Sequence, residues 1–199
     1  LKILLIDDHS LFAESLALTI HQYQPDIHID IMNDEDEFKS IFSKVIEYQV
    51  ILLDINLDNK FSTDGFGIAQ DILEEYPDSK IALLTGFDLP VYEYQAQKLG
   101  VKAFVPKNIS SKRLIQILKD ISYGKNYFPN QNYFVDELTE REKEILIHLG
   151  NGEKRKDIAK SLYISDRTLT NHIQNILEKL EVDSTLKAVI KAQKLGYIK

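Results

Sequence analysis

Lys2-Ile3-Leu4-Leu5-Ile6-Asp7-Asp8 is a short apolar run that ends on two carboxylates. The same construction recurs along the first half of the chain. Val50-Ile51-Leu52-Leu53 leads into Asp54, Ile81-Ala82-Leu83-Leu84 into Thr85, and Ala103-Phe104-Val105-Pro106 into Lys107. Runs of four or five apolar residues separated by helix-like segments read as parallel strands buried on both faces. Polar groups that close successive parallel strands converge on one edge of the sheet, where α/β folds bind ligands. Working outward, strands are expected at 2–6, 27–32, 50–53, 81–84 and 103–105, alternating with helices at 11–23, 34–46, 68–76, 90–99 and 111–123. Pro77 and Gly100 fit helix stops, and Ser110 fits a cap for the last of these helices. Residues 56–67, rich in Asn, Asp, Ser and Gly, read as a loop. The fold class is therefore α/β, a doubly wound five-stranded parallel sheet.

The pattern changes after residue 123. Residues 124–136 carry Gly, Pro, several side-chain amides and the aromatics Tyr127, Phe128, Tyr133 and Phe134 without a clean period. They read as a linker whose rings pack against something. From Leu138 the pattern is wholly helical, with helices expected at 139–149, 155–162, 166–180 and 185–195. Thr139 and Glu142 have capping-box spacing. The division expected is a domain over 1–123, a linker over 124–136 and an all-α four-helix domain over 137–199. Charge divides the chain in the same way. Residues 1–121 carry 11 Lys+Arg against 20 Asp+Glu, whereas residues 138–199 carry 12 against 9. An acidic front and a mildly basic back suit two modules, the second facing a polyanion.

The sequence has no cysteine, which excludes disulfides, thiolate catalysis and cysteine-ligated metals and fits a reducing compartment. No apolar stretch approaches the ~20 residues that span a bilayer, and the start of the sequence lacks the plan of a signal peptide. The expectation is a cytoplasmic protein with no membrane partner.

Three carboxylates, a hydroxyl and an ammonium at one sheet edge suit a divalent metal and a phosphoryl group. Phosphoryl transfer to a carboxylate needs a nucleophile, a small hard cation such as Mg²⁺, and donors for the remaining oxygens. Asp54 is the expected nucleophile, with Asp7 and Asp8 as metal ligands. Lys107 would pair with the phosphoryl oxygens and Thr85 would donate its hydroxyl to them. Each has a plainer explanation taken singly; Asp7 and Asp8, for example, would merely cap the helix near Leu11. Five such residues at successive strand ends favour the site.

The second half carries a helix-turn-helix pattern. Ile158, Ala159 and Leu162 form one apolar face, Tyr163-Ile164-Ser165 make the turn, and Ser165 caps the next helix. In that helix Leu169, Ile173, Ile176, Leu177 and Leu180 lie at core spacing. The opposite face offers Thr170, Asn171 and Gln174 as base contacts. Lys154, Arg155, Lys156 and Arg167 are expected on phosphates. A solvated polar face on an ordinary bundle is the plainer alternative.

Two resemblances now apply. Ile6-Asp7-Asp8-His9, the single Asp54 after its apolar run, Leu84-Thr85-Gly86 and Phe104-Val105-Pro106-Lys107 resemble the flavodoxin-like receiver domain of bacterial two-component response regulators, over roughly residues 1–121. The resemblance implies that Asp54 accepts a phosphoryl group from a sensor histidine kinase. It further implies that Asp8 binds Mg²⁺ directly, that Asp7 acts through water and that Asn56 offers its backbone carbonyl. Thr85 and Phe104 would form the switch pair, plain core packing being the alternative for Phe104. The chain departs from the family pattern after the phosphoacceptor. Asp58 stands where a proline is usual, and Gly65 arrives late, so that residues 59–63 are extra beside the site. Phe87 stands where its bulk would screen water from an acyl phosphate.

Leu138-Thr139-Glu140-Arg141-Glu142, Lys156-Asp157-Ile158-Ala159 and Arg167-Thr168-Leu169-Thr170-Asn171-His172 resemble the LuxR-type DNA-binding domain, over roughly residues 137–198. Thr170 and Arg155 replace a more usual Lys and Asn, which implies a changed operator or affinity. Together the resemblances imply a NarL-type response regulator, a transcription factor rather than an enzyme. Phosphorylated Asp54 would bias Thr85 and Phe104, free or dimerise the helical domain, and let a homodimer bind two half-sites of double-stranded DNA. One rival is a DNA-binding regulator that works without phosphorylation and uses the receiver as a dimerisation module. A second is a metal-dependent phosphatase, which usually has an acid where Asn56 stands.

Overall fold

The structure, a computed structural model, describes residues 1–57, 60–86, 89–129 and 138–198. Two compact units form, one built on a sheet and the other on the C-terminal helices. The sheet contains β1 (Lys2–Ile6), β2 (His28–Met32), β3 (Val50–Asp54), β4 (Ile81–Thr85) and β5 (Ala103–Pro106). Their order is β2-β1-β3-β4-β5 and every pairing is parallel. Helices α1 (Ser10–Tyr23), α2 (Glu35–Ile41), α3 (Gly65–Glu75), α4 (Pro90–Leu99) and α5 (Ser111–Ser122) connect or follow the strands. The order reverses between β1 and β3, which opens a crevice outside their carboxyl ends.

Period-two alternation distributes the apolar runs between the two faces. Ile3, Leu5, Val50, Leu52, Ala82, Leu84, Ala103 and Val105 share one core with Ala13 and Ile20 of α1 and with Leu114, Ile117, Leu118 and Ile121 of α5. Phe104 alternates with Ala103 and Val105 and is completely buried. Strands β3 and β4 are buried at every position, whereas the edge strand β2 is not.

Two helix expectations are revised and one for the linker aromatics is met. The helix expected over 34–46 is shorter: α2 gives way to a 3-10 turn, Phe42–Glu47, whose tighter winding buries Val45 and leaves Ile46 outside. The helix expected from residue 68 begins at Gly65, because Asp64 caps it by accepting from the Gly67 N–H at 3.0 Å. Gly65 is needed for space rather than flexibility, since a Cβ there would lie 2.1 Å from the Asp54 carbonyl oxygen. The packing expected of the linker aromatics is met at the start of that segment. Tyr127 donates its N–H to Lys102 O and accepts from Phe104 N–H, both at 2.9 Å, in a parallel bridge alongside β5. Its ring packs against the core beneath α5, with the Arg113 guanidinium 5.4 Å above it. Ser110 caps α5 as expected. Asp58, Phe87, Tyr133 and Phe134 lie outside the described residues.

The second unit comprises α6 (Glu140–Gly150), α7 (Arg155–Ser161), α8 (Asp166–Lys179) and α9 (Thr185–Leu195). Its core gathers Ile145, Leu146, Ile158, Ala159, Leu162, Leu169, Ile173, Ile176, Leu180, Ala188 and Ala192, with Leu177 at the margin. Thr139 and Glu142 form the capping box. Glu142 is 3% exposed and accepts from Lys179 Nζ at 2.8 Å and from Thr139 N–H at 2.8 Å. Among the described residues no helix is long and apolar enough to cross a membrane.

Gly65→Ala is expected to lower the free energy of unfolding by about 1–3 kcal/mol, the usual cost of overpacking, measured by urea denaturation. A second expectation concerns Glu142. Burial raises its carboxyl pKa, but Lys179 and the Thr139 N–H outweigh that and hold it below the usual carboxylate range. A lowered folded value gives stability that is present above the unfolded value and lost as pH falls through the folded one. Glu142→Gln should therefore cost about 1.5–3 kcal/mol at neutral pH, with the difference disappearing in acid. Chemical denaturation of both proteins across pH 3–7 checks this.

Candidate functional site

The carboxyl ends of β1, β3, β4 and β5 bring together the five residues picked out by the apolar runs. Asp7 is 0%, Asp54 1%, Thr85 1% and Asp8 9% exposed. Oxygens of Asp7, Asp8 and Asp54 and a ring nitrogen of His9 all lie within 4.8 Å of one another. Lys107 Nζ donates to Asp7 Oδ2 at 2.9 Å and to Asp54 Oδ2 at 2.7 Å, and sits 4.5 Å from the centre of the Phe12 ring. The Lys107 N–H donates to Thr85 O at 2.7 Å, which fixes where the lysine leaves the sheet.

Asp7 and Asp8 do not cap α1: the capping position is His9, and it makes no side-chain cap bond. Asp7 Oδ1 instead accepts from the His9 N–H at 2.9 Å, and the His9 ring Nδ1 lies 2.9 Å from Asp8 Oδ1. Among the described residues Asp54 Oδ1 is buried with no hydrogen-bond partner. Burial pushes the Asp54 carboxyl up, although the Lys107 ammonium opposes it. Burial alone would push Lys107 down, but its bonds to Asp54 and Asp7 carry it above its ordinary value. Three carboxylates against this lysine leave excess negative charge beside an unsatisfied oxygen. A hard donor set of that kind suits a small divalent cation.

Asn56 follows β3 and is exposed, and Phe104 is buried one strand away from Asp54's neighbour β4. Sequence reasoning gave no role to His9, whose proximity to Asp8 follows from the turn. It also missed Lys60, whose Nζ donates to Asp8 O at 2.8 Å. Neither produces a periodic signal.

In the second unit the seven candidates for nucleic-acid contact are all exposed. Lys154, Arg155 and Lys156 cluster at the start of α7, and Arg167, Thr170 and Asn171 occupy the first half of α8, with Gln174 just beyond its midpoint. Ser165 caps α8, accepting from Thr168 N–H at 3.1 Å. The turn holds Tyr163 in the left-handed region at φ 54°. Arg141, on α6, braces it by donating to Leu162 O, a contact the pattern of α6 gives no hint of. Two candidates are partly engaged within their own helix. Thr170 Oγ1 donates to Asp166 O at 2.8 Å, and Gln174 Nε2 donates to Glu178 Oε1 at 2.9 Å. Asn175 is exposed on the same helix and was not singled out.

The sequence matches the response regulator receiver domain over residues 3–119 and the luxR family of bacterial regulatory proteins over residues 136–192. The chain therefore belongs to the NarL/LuxR-type two-component response regulators. Transcriptional regulatory protein DegU of Brevibacillus brevis is 27% identical over 231 residues, covering 100% of this chain and 95% of its own. Response regulator protein VraR of Staphylococcus aureus (strain NCTC 8325 / PS 47) is 28% identical over 207 residues, 96% of each chain. The fold is that of the RcsB response regulator of Salmonella typhimurium, with a TM-score of 0.71 at 19% identity over 97% of this chain and 99% of that one. The chain is a response regulator that joins a receiver to a LuxR-type DNA-binding domain, a family of transcriptional regulators.

Metal-free Asp54→Asn is expected to melt a few degrees above the wild type at pH 7. A carboxyl whose folded pKa is raised contributes stability that is full below its unfolded value, about 3.9, and is lost as pH rises through the folded value. Ionised Asp54 is thus a burden to the metal-free fold, and Asn removes it while Asp7 keeps Lys107 in place. The gap should narrow toward pH 4. Calorimetry in chelator at several pH values checks both points.

Proposed function

We propose that this protein is a transcription factor switched by phosphorylation of Asp54. The observation that carries the reading is Lys107 bridging Asp7 and Asp54 while the second Asp54 oxygen is buried and, among the described residues, unbonded. An Asp54 oxygen attacks phosphorus as the phosphorus–nitrogen bond to a sensor kinase's histidine breaks. The imidazole takes up a proton as it leaves. The site gains one negative charge, and Lys107 is positioned to meet it. The buried Thr85 donates its hydroxyl to a phosphoryl oxygen. Asp7, Asp8, Asp54 and the backbone carbonyl of Asn56 would hold Mg²⁺, which supplies charge neutralisation at the phosphoryl oxygens when bound.

Thr85 closes β4 and Phe104 lies on the neighbouring β5, so a shift at the first has a short path to the second. Their rearrangement shifts the population toward a homodimer. That dimer places α8 of each copy in the major groove of two half-sites, with Lys154, Arg155, Lys156 and Arg167 on phosphates. Asn171 is the best placed base reader, because the hydroxyl of Thr170 and the amide of Gln174 are engaged internally. The receiver occupies residues 1–123, the linker 124–136 and the DNA-binding domain 137–199. The protein acts in the cytoplasm, beside kinase and DNA, without turning over an external substrate.

Intact-protein mass after incubation with acetyl phosphate tests the reading. One phosphoryl group is expected with Mg²⁺, none without it, and none in Asp54→Ala. Labelling that persists in Asp54→Ala would refute the assignment of the nucleophile.

A further inference from the structure

A second cation reaches the acidic site from the stretch that makes this chain longer than the receiver pattern. Lys60 Nζ donates to the main-chain oxygen of Asp8 at 2.8 Å. The backbone around it is held independently of that bond. Lys60 O accepts from the Glu35 N–H at 3.2 Å. Ser62 donates its N–H and hydroxyl to the Glu35 carboxylate at 2.8 and 2.9 Å, and Lys39 grips the same carboxylate at 2.6 Å. Thr63 fills the space that a Cβ on Gly67 would need. Residues 60–63 are thereby pinned to the amino-terminal ends of α2 and α3, and they deliver the ammonium to the turn after β1.

Lys107 and Lys60 address different acids. Lys107 bonds the carboxylates of Asp7 and Asp54, whereas Lys60 bonds the main chain of Asp8. Its acceptor is a main-chain carbonyl, so the bond brings a positive charge to the residue that supplies one of the three carboxylates. Like charges repel, so an ammonium held at Asp8 opposes a divalent cation held by the same three acids.

We propose that Lys60 is a resident competitor of the divalent cation, weakening metal binding at Asp7, Asp8 and Asp54. This rests on the metal-binding reading above and extends it to a residue outside the strand-end set. Lys60 is exposed, so solvent and salt screen its field and the effect is moderate. By linkage, the cation loosens the hold of Lys60 on Asp8 by the same factor.

The test titrates Mn²⁺, read as free ion by electron paramagnetic resonance, into the full chain and its Lys60→Gln, Lys60→Arg and Asp54→Asn variants. Lys60→Gln, which keeps a donor and loses the charge, should bind about three- to tenfold more tightly at low salt. The gain should shrink at high salt, and Lys60→Arg should match the wild type. Unchanged or weaker binding by Lys60→Gln, with binding still reduced in Asp54→Asn, overturns the role of Lys60 and leaves the metal site standing. Equally weak binding by wild type and Asp54→Asn overturns the metal site, and this inference with it.

Discussion

The Lys107 ammonium between Asp7 and Asp54 is the interaction on which the receiver half depends. Parallel topology sends the ends of β1 and β3 to the same edge, and both end on carboxylates removed from water. Two such charges side by side would repel and would leave their desolvation uncompensated. Lys107 reaches them from the end of β5, beyond the intervening β4, and its N–H on the Thr85 carbonyl sets its point of departure. One side chain therefore joins three strand ends that are far apart in sequence. The compensation is partial: Asp54 keeps a raised pKa and, among the described residues, an oxygen with no hydrogen-bond partner. A site left short of positive charge suits a small divalent cation.

The DNA-binding half uses the same kind of polar bracing for a different purpose. Glu142 and Lys179 tie α6 to α8, and Arg141 ties α6 to the turn between α7 and α8. The first holds the carboxyl-terminal end of α8 and the second the turn before its amino-terminal end, so the helix keeps a fixed relation to its own bundle. Within α8 the bond from Thr170 to Asp166 turns the hydroxyl back on the helix. Asn171 and Arg167 therefore carry more of the outward-facing chemistry than sequence position alone assigns them.

Much of this was legible because it depends on period and termination. The five strands follow from uninterrupted apolar runs, and the residues that end them identify the acidic site without reference to any neighbour. The caps at Ser110, Thr139 and Ser165 are equally local. What escaped was whatever depends on distant packing. The helix expected over 34–46 tightens into a 3-10 turn because Val45 must reach the core. Gly65 and Gly67 look like loop residues but sit in the first turn of α3, the former because β3 passes too close for a side chain. Tyr127 reads as a ring that packs, but the sequence does not give its partner, the edge of β5, where the strand's free N–H and C=O groups need bonds.

The sequence by itself determined the doubly wound sheet, the helix-turn-helix and the set of five residues at the strand ends, because hydrophobic period and strand termination are properties of neighbours along the chain. Only the tertiary structure decided that Lys107 spans Asp7 and Asp54 and that Lys60 leans on Asp8, since those bonds bridge 100, 53 and 52 residues. Contacts of that kind follow from how the sheet edge is assembled in space, and nothing local to either partner encodes them.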